Sequence, residues 1–328
     1  MSHPHVPDAG ARALLSPGLR QVSQSGGGML ASLLALSTLL LILTGCGIPT
    51  ANGASDGKIQ IVAAENVWGS IAAQIGGVHA KVNSIIVNPN TDPHDYEATP
   101  ADARAIASAG YVIFNGVGYD PWVRQQLDAN PVSGRRELDV GKFLGKQGGD
   151  NPHFWYNPDY VTRIADQITS DLKRLDAADA SYFDQQNQQF LTTGLQSYHD
   201  LITMIKQKYQ GTPVGATESL FMYLASALGL NLISPPGFMK AISEGIEPTA
   251  ADKVTFDQQI TQKQIKVLVY NKQNATPDTE ALKAKAQQTG IPIVAMTETL
   301  DPGSASFQGW QSAQLQALEQ ALAQATGM

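Results

Sequence analysis

Residues 157–175 read NPDYVTRIADQITSDLKRL, and this stretch decides how the rest of the chain is organised. It opens with Asn157-Pro158-Asp159, and its apolar residues then recur at intervals of three and four, a pattern that predicts a helix with one buried face. Those residues are Val161, Ile164, Ala165, Ile168 and Leu172. A helix of this length spans about 28 Å, which is enough to run the height of a domain.

Short β-rich runs alternate with helical patterns on both sides of that helix, as in parallel α/β domains. The strands predicted before it are 58–64, 81–87 and 111–115, with helices near 66–75 and 100–109. The strands predicted after it are 213–217, 231–234, 266–271 and 291–297, with helices at 180–208, 219–228, 278–289 and 308–325. The chain is therefore predicted to be an α/β protein with an N-terminal lobe (58–156) and a C-terminal lobe (177–328), two parallel-sheet lobes joined by a single long rigid helix (157–176).

The composition excludes several classes of protein. The 328 residues include 22 basic and 29 acidic side chains and carry a net charge of -7. Such a balance argues against a nucleic-acid binder, which normally has a basic face. A single cysteine excludes an intramolecular disulfide framework and any cysteine-rich zinc or iron–sulfur site.

The amino terminus carries an uncharged run, MLASLLALSTLLLILT at 29–44, which is followed by Gly45-Cys46. This run is too short to span a membrane as a helix, which needs about 20 residues, but it has the length of the apolar core of a signal peptide. Leu43-Thr44-Gly45-Cys46 resembles the bacterial lipobox, whose cysteine is diacylated and becomes the new amino terminus. We therefore predict a lipoprotein signal peptide over 1–45, lipidation of Cys46 and a flexible tether over 46–57. The alternatives are a membrane anchor with an incidental cysteine, and a buried structural cysteine.

Two histidines stand in similar Pro-His settings at the edges of regular elements. His94 lies in Asp92-Pro93-His94, and His153 lies in Asn151-Pro152-His153. Loops held by a rigid scaffold are where binding residues concentrate, so both imidazoles are candidate metal ligands. The alternative for each is a solvated or carbonyl-bonded loop histidine. His79 and His199 are predicted to be surface residues.

Two carboxylates are expected where predicted strands end. Glu218 follows strand 213–217, and Asp301 comes soon after strand 291–297. Because ligands bind outside the carboxyl ends of the strands in open parallel sheets, these carboxylates and the two histidines can meet in the cleft between the lobes. The alternatives are a helix-capping role for Glu218 and an Asx turn at Asp301. Glu298 competes with Asp301 for the same role.

These segments resemble the metal-binding receptors of bacterial zinc and manganese ABC importers, the family of solute receptors in which a helical backbone links two lobes. The resemblance covers nearly all of 58–328. It is carried by DPHDYEATPADARAIASAGYVIFNGVGYDPWV (92–123), NPHFWYNPDYVTRIADQI (151–168), ATESLFMYLASALGL (216–230) and TLDP (299–302). By position it implies a metal site in the interlobe cleft, formed by His94, His153, Glu218 and Asp301.

The resemblance also implies what the protein does and where. It implies that Zn²⁺ or Mn²⁺ is bound as transported cargo, that the partner is an ABC importer permease in the cytoplasmic membrane, and that the protein is an extracytoplasmic monomer anchored to the outer face of that membrane. No nucleic acid is expected as a partner. The chain departs from the family pattern in having Glu at the third ligand position, in lacking a His/Asp-rich tract over 134–151, and in the pattern T-E-T-L-D-P around Glu298.

Three classes of function follow from a site of two histidines and two carboxylates, which suits Zn²⁺, Mn²⁺ or Fe²⁺. The first is the metal receptor, which needs no catalytic group. The second is an exported metal-dependent hydrolase, but the chain has no H-E-x-x-H, no G-x-S-x-G and no P-loop, so we expect no enzyme. The third is an adhesin or a receptor for an organic metal chelate, for which the aromatic residues beside the histidines would line the site.

Overall fold

The computed structural model describes residues 57–328. The predicted signal peptide, Cys46 and all of the tether except its last residue therefore lie outside the described residues. Among residues 57–328, none of the helices combines the length and the hydrophobicity of a membrane-spanning helix.

The first sheet is built before the predicted connecting helix and has four parallel strands in the order β2-β1-β3-β4. The strands are β1 (Ile59–Glu65), β2 (Ala80–Ile86), β3 (Tyr111–Phe114) and β4 (Arg136–Asp139). Its helices are α1 (Asn66–Gly76), α2 (Pro100–Ser108), α3 (Pro121–Ala129) and α4 (Val140–Phe143). Strand β1 lies centrally, with Ile61 in register with Val82 of β2 and Tyr111 of β3. A central parallel strand is covered on both faces, which is why its sequence is almost continuously apolar.

Helix α2 shows how local sequence sets an element boundary. The Thr99 side chain accepts a hydrogen bond from the backbone N–H of Asp102, and the Asp102 carboxylate accepts one from the backbone N–H of Thr99. Pro100 occupies the first helical position, where its missing N–H costs nothing. This capping box starts the helix where the sequence predicts it and ends the loop that carries His94.

The second sheet also has four parallel strands, in the order β6-β5-β7-β8. The strands are β5 (Pro213–Ala216), β6 (Asn231–Leu232), β7 (Leu268–Asn271) and β8 (Ile293–Met296). Its helices are α8 (Met222–Ala227), α9 (Pro236–Ser243), α10 (Ala250–Thr261), α11 (Pro277–Thr289) and α12 (Phe307–Thr326). Both sheets are parallel, as predicted. Strand β7 lies between β5 and β8, so the carboxyl ends of these three strands are neighbours.

The path between the sheets consists of three helices: α5 (Pro158–Leu175), α6 (Ala180–Gln189) and α7 (Gln196–Tyr209), with a π-helical turn at Phe190–Gly194 before α7. Helix α5 buries the apolar face that the sequence predicts and packs against α1 and α6. Tyr111 of β3 also donates a hydrogen bond to Asp171 of α5. Helix α7 packs instead against α12. The predicted single connecting helix is therefore only the first part of the connection, because α5 is held on the first sheet.

One large apolar core extends across both sheets. Alternate side chains of β1 divide between two clusters: Ile61 and Ala63 enter this shared core, whereas Val62 and Ala64 belong to a smaller cluster on the other face. The shared core also contains Val214 of β5 and residues of β7, β8 and α12. Because a core common to both lobes is costly to open, we expect any relative motion of the lobes to be small.

Candidate metal centre

His94 lies in a single 3₁₀ turn, Pro93–Asp95, in the loop between β2 and α2. The Asp92 side chain accepts a hydrogen bond from the backbone N–H of His94 at 3.0 Å, and Pro93 restricts the backbone before it. Together they fix the direction in which the imidazole leaves the loop. The His94 side chain is 19% exposed.

His153 is completely buried, immediately before the 3₁₀ turn Phe154–Tyr156 that leads into α5. The Asn151 side-chain oxygen accepts from the backbone N–H of His153 at 3.1 Å and lies 2.7 Å from its Nδ1. An Nδ1–H that donates to this oxygen leaves the Nε2 lone pair free to bind a metal. Asn151 also donates to the Ser219 carbonyl of the second lobe at 2.7 Å.

Two glutamates occupy the carboxyl ends of strands in the second sheet. Glu218 lies between β5 and the 3₁₀ turn Ser219–Phe221, and Glu298 lies two residues beyond β8. Both side chains are fully buried. Glu218 makes no side-chain capping hydrogen bond to the turn that it precedes, so capping does not account for its position.

The four side chains converge on one point, with one potential ligand atom from each lying within 4.8 Å of the others. Glu298 Oε2 lies 3.2 Å from His153 Nε2 and 3.4 Å from His94 Nε2. Glu218 Oε1 lies 3.9 Å from His153 Nε2. Two of these buried atoms, His94 Nε2 and Glu218 Oε1, have no hydrogen-bond partner. Buried polar atoms are normally satisfied, and here the two unpaired atoms lie together with two further ligand atoms, so the group could hold a metal ion.

Of the two acids that compete for the fourth position, the structure places Glu298, and not Asp301, beside the other three side chains. Asp301 lies outside this group, and its carboxylate pairs with Lys272 Nζ at 2.9 Å on a partly exposed surface. The backbone between the two acids explains the difference: Leu300 is buried and its N–H donates to the Asn66 side chain. The chain therefore turns Glu298 inward and Asp301 outward. The sequence signal for Glu298 was its proximity to the strand end.

Two polar residues that sequence reasoning did not single out orient the glutamates. Tyr119, in the loop after β3, donates its hydroxyl to Glu298 Oε2 at 2.7 Å. Asn271, the last residue of β7, donates from Nδ2 to Glu218 Oε2 at 2.7 Å and to Glu298 Oε1 at 2.6 Å. The only sequence signal for Asn271 was its place at the end of a predicted strand, and Tyr119 had none beyond its glycine-rich loop.

The four groups shift one another's pKa values. Burial lowers the pKa of His94, but the Glu298 carboxylate outweighs it and raises that pKa to about 9. Burial also lowers the pKa of His153, and here burial prevails. Burial and the charge of Glu298 raise the pKa of Glu218 to about 8. Burial would raise the pKa of Glu298, but the two histidines hold it well below its usual range. A metal-free site at neutral pH thus holds His94 and Glu218 protonated, His153 neutral and Glu298 ionised.

A cleft of about 840 Å³ leads to this group from solvent. His94 is the one member of the four that lines the cleft, together with Asp92, Tyr119, Asn151, Ser219 and Gln273 among others. The remaining three lie behind it. A cation entering through the cleft therefore meets His94 first.

A second group of potential ligands lies at the surface. His79 Nδ1 lies 2.9 Å from the Asp179 carboxylate, and Asp176 is close to both. The His79 side chain is 29% exposed, so it lies partly at the surface, where the sequence predicts it. These residues share neither the burial nor the unpaired atoms of the first group.

Two parallel-sheet lobes with a buried group of histidines and glutamates between them define the class of two-lobed substrate-binding proteins. Residues 61–321 match the family described as zinc-uptake complex component A, periplasmic (ZnuA). Because this match covers most of the chain, the protein belongs to that family.

Individual relatives agree with this membership. The chain is 25% identical to the metal ABC transporter substrate-binding lipoprotein FimA of Streptococcus parasanguinis, over 81% of this chain and 88% of FimA. It is equally similar, at 25%, to the manganese ABC transporter substrate-binding lipoprotein PsaA of Streptococcus mitis, over 82% of this chain and 89% of PsaA. The crystal structure of ZnuA superposes with a TM-score of 0.65 at 23% identity, covering 82% of this chain and 99% of that one. The structural likeness confirms the predicted two-lobed α/β fold.

Proposed function

We propose that this protein is an extracytoplasmic receptor that captures a divalent transition metal, zinc or manganese, and delivers it to the permease of an ABC importer. The observation that carries the proposal is the buried meeting of His94, His153, Glu218 and Glu298, with two ligand atoms left unpaired. Membership of the family and the metal-transport names of the relatives support it. His94, His153 and Glu218 keep the ligand roles predicted from sequence, and Glu298 takes the fourth.

The chemistry of capture is an exchange of one cation for protons. In the metal-free site the positive charge of His94 balances the negative charge of Glu298, while Glu218 and His153 are neutral. When a divalent ion binds, His94 and Glu218 lose their protons, and two carboxylates then neutralise the ion. The buried site is therefore electrically balanced in both states, which avoids the large cost of burying net charge.

The same arrangement suits a metal ion that is transported rather than one that takes part in a reaction. A catalytic metal keeps an open coordination position that a substrate can reach. Here three of the four proposed ligands are buried. Tyr119 and Asn271 also donate hydrogen bonds to the glutamate carboxylates. These features support a binding protein without catalytic activity.

The direct test of this function is a calorimetric titration of the purified, metal-stripped protein with Zn²⁺ and with Mn²⁺. We expect one ion per chain and a loss of affinity of about a hundredfold or more in His94→Ala and in His153→Ala, because each removes a ligand. His79→Ala, which removes a histidine from the surface group, is the matched control and should bind as the parent does. Failure of the parent to bind either ion at micromolar concentration would refute the proposal.

Attachment to the membrane is a separate part of the proposal. We propose that the chain is cleaved before Cys46, diacylated on that residue and held as a monomer at the outer face of the cytoplasmic membrane. Two acyl chains give stable attachment. Growth with an alkyne-labelled fatty acid should label the parent and not Cys46→Ser, and the variant should leave the membrane fraction. Equal labelling of both would show that the cysteine is not the acylated residue.

A further inference from the structure

Asn271 occupies a special place in the second sheet, because β7 lies between the two strands that deliver the glutamates. Its side chain is buried, and its Nδ2 donates one hydrogen bond to Glu218 Oε2 and another to Glu298 Oε1. Its Oδ1 accepts from the backbone N–H of Gln273 at 3.0 Å. This second bond fixes which end of the amide faces the glutamates, since a backbone N–H requires an acceptor.

The consequence is that Asn271 holds one oxygen of each glutamate on the β7 side. The oxygens that face the centre are Glu218 Oε1, which is unpaired, and Glu298 Oε2, which faces both imidazoles and accepts a hydrogen bond from Tyr119. A carboxylate binds a metal through both oxygens only if both point at the ion. Asn271 holds Glu218 Oε2 and Glu298 Oε1 toward β7, so only one oxygen of each glutamate faces the centre.

We infer that Asn271 is a specificity-determining residue that restricts the site to four single-atom ligands and thereby favours Zn²⁺ over Mn²⁺. The inference rests on the proposed function and names the cation that the site prefers. Zn²⁺ is satisfied by four ligands in a tetrahedral arrangement, whereas Mn²⁺ suits octahedral oxygen-rich sites. The general order of divalent affinities already places zinc above manganese. The Asn271 amide increases the ratio of the Zn²⁺ affinity to the Mn²⁺ affinity beyond that general order.

A purely structural role for Asn271 predicts something different. If the amide only holds the carboxylates apart, its removal weakens the binding of both ions by the same factor. If it limits the number of ligand oxygens, its removal frees Glu218 Oε2 and Glu298 Oε1, and Mn²⁺ gains ligands that Zn²⁺ does not need. The ratio of the two affinities therefore separates the two roles.

The experiment is a competition titration of Zn²⁺ against Mn²⁺ on the metal-stripped parent, Asn271→Ala and Asn271→Leu. The leucine keeps the approximate shape of the side chain and removes the amide donor without adding a charge or a ligand atom. Asn274→Ala is the control: it lies in the loop that follows β7, and its amide donates to the Ile242 carbonyl, away from the glutamates. We expect the zinc-to-manganese affinity ratio to fall about tenfold or more in both Asn271 variants, the scale of outer-shell effects on metal affinity, and to stay unchanged in the control.

The number of zinc ligands can also be measured on the parent protein alone. X-ray absorption at the zinc edge of the loaded protein should show four nitrogen and oxygen ligands and no more. Five or six ligands, or an unchanged affinity ratio in the Asn271 variants, would overturn the inference while leaving the metal receptor intact. A parent that binds neither ion would instead refute the proposed function itself.

Discussion

The two lobes contribute opposite halves of the proposed metal centre. The first lobe supplies both imidazoles, from loops in which an Asp or Asn side chain fixes a Pro-His turn. The second lobe supplies both carboxylates, from the carboxyl ends of β5 and β8, with Asn271 of β7 between them. In the metal-free site at neutral pH, His153 is neutral and His94 is positively charged, whereas Glu218 is neutral and Glu298 is negatively charged. Neither lobe alone holds a set of ligands that would bind a divalent ion tightly.

This difference also explains why the halves tolerate change differently. An imidazole contributes one ligand atom and no charge, so losing it removes a bond. A carboxylate contributes a ligand atom and half of the charge that neutralises the cation, and Glu298 additionally forms an ion pair with His94. We therefore expect the carboxylate half to be the more sensitive of the two.

The largest expected effect is that of Glu298→Gln. The amide keeps the size of the side chain but removes the charge that balances the ion, so Zn²⁺ affinity should fall by about a thousandfold, more than the loss for either histidine. Calorimetric titration measures it. Asp301→Asn is the matched control, because its carboxylate forms only a surface pair with Lys272, which is worth about 1 kcal/mol or less. If Asp301→Asn lost affinity and Glu298→Gln did not, the assignment of the carboxylate half would be wrong.

The next effect tests the charge balance between the halves through pH. The pKa of His94 is about 9 and that of Glu218 about 8 in the metal-free site, so both groups are protonated at pH 6–7 and both must lose a proton on binding. Affinity should therefore rise with pH, by about ten- to a hundredfold per unit over this range. Titration in buffers with different ionisation enthalpies should show release of about two protons per ion at pH 7. An affinity that is flat from pH 6 to 8 would contradict the assigned charges.

A smaller effect is expected at the junction of the lobes, where Tyr119 of the first lobe donates to Glu298 of the second. Tyr119→Phe removes a hydrogen bond that orients the ligand oxygen, and Zn²⁺ affinity should fall about tenfold. Tyr96→Phe loses a comparable hydrogen bond, but to Asp102 at the capping box of α2, and serves as the control. Equal losses in the two variants would mean that the effect comes from the stability of the first lobe.

Both histidines of the site could be predicted from the sequence. Of the two carboxylates, Glu218 could be predicted, whereas Glu298 was only an alternative to Asp301. Proline and Asx side chains mark the turns around His94 and His153 locally, as Thr99 and Pro100 mark the start of α2. The choice between Glu298 and Asp301 depends on which of two nearby acids faces inward. That is decided by the contact of Leu300 with Asn66, which lies far away in the chain.

The same distinction holds for the fold. The buried strands and α5 were predicted from their own apolar patterns, and α11 ends at Gly290, in the left-handed conformation expected of a helix stop. Strand β4, with the polar sequence RELD, and helices α3, α4, α9 and α10 were not predicted. Their placement depends on packing against distant elements. The path through α6 and α7 likewise depends on α5 being held by α1 and Tyr111.

Anomalous diffraction from crystals of the zinc-loaded protein would show whether both lobes bind one ion through His94, His153, Glu218 and Glu298. We expect one strong peak about 2.0–2.2 Å from Nε2 of each histidine and from one oxygen of each glutamate. A peak bound by Asp301, a site confined to His79 and its neighbouring aspartates, or ligands from one lobe only would contradict it.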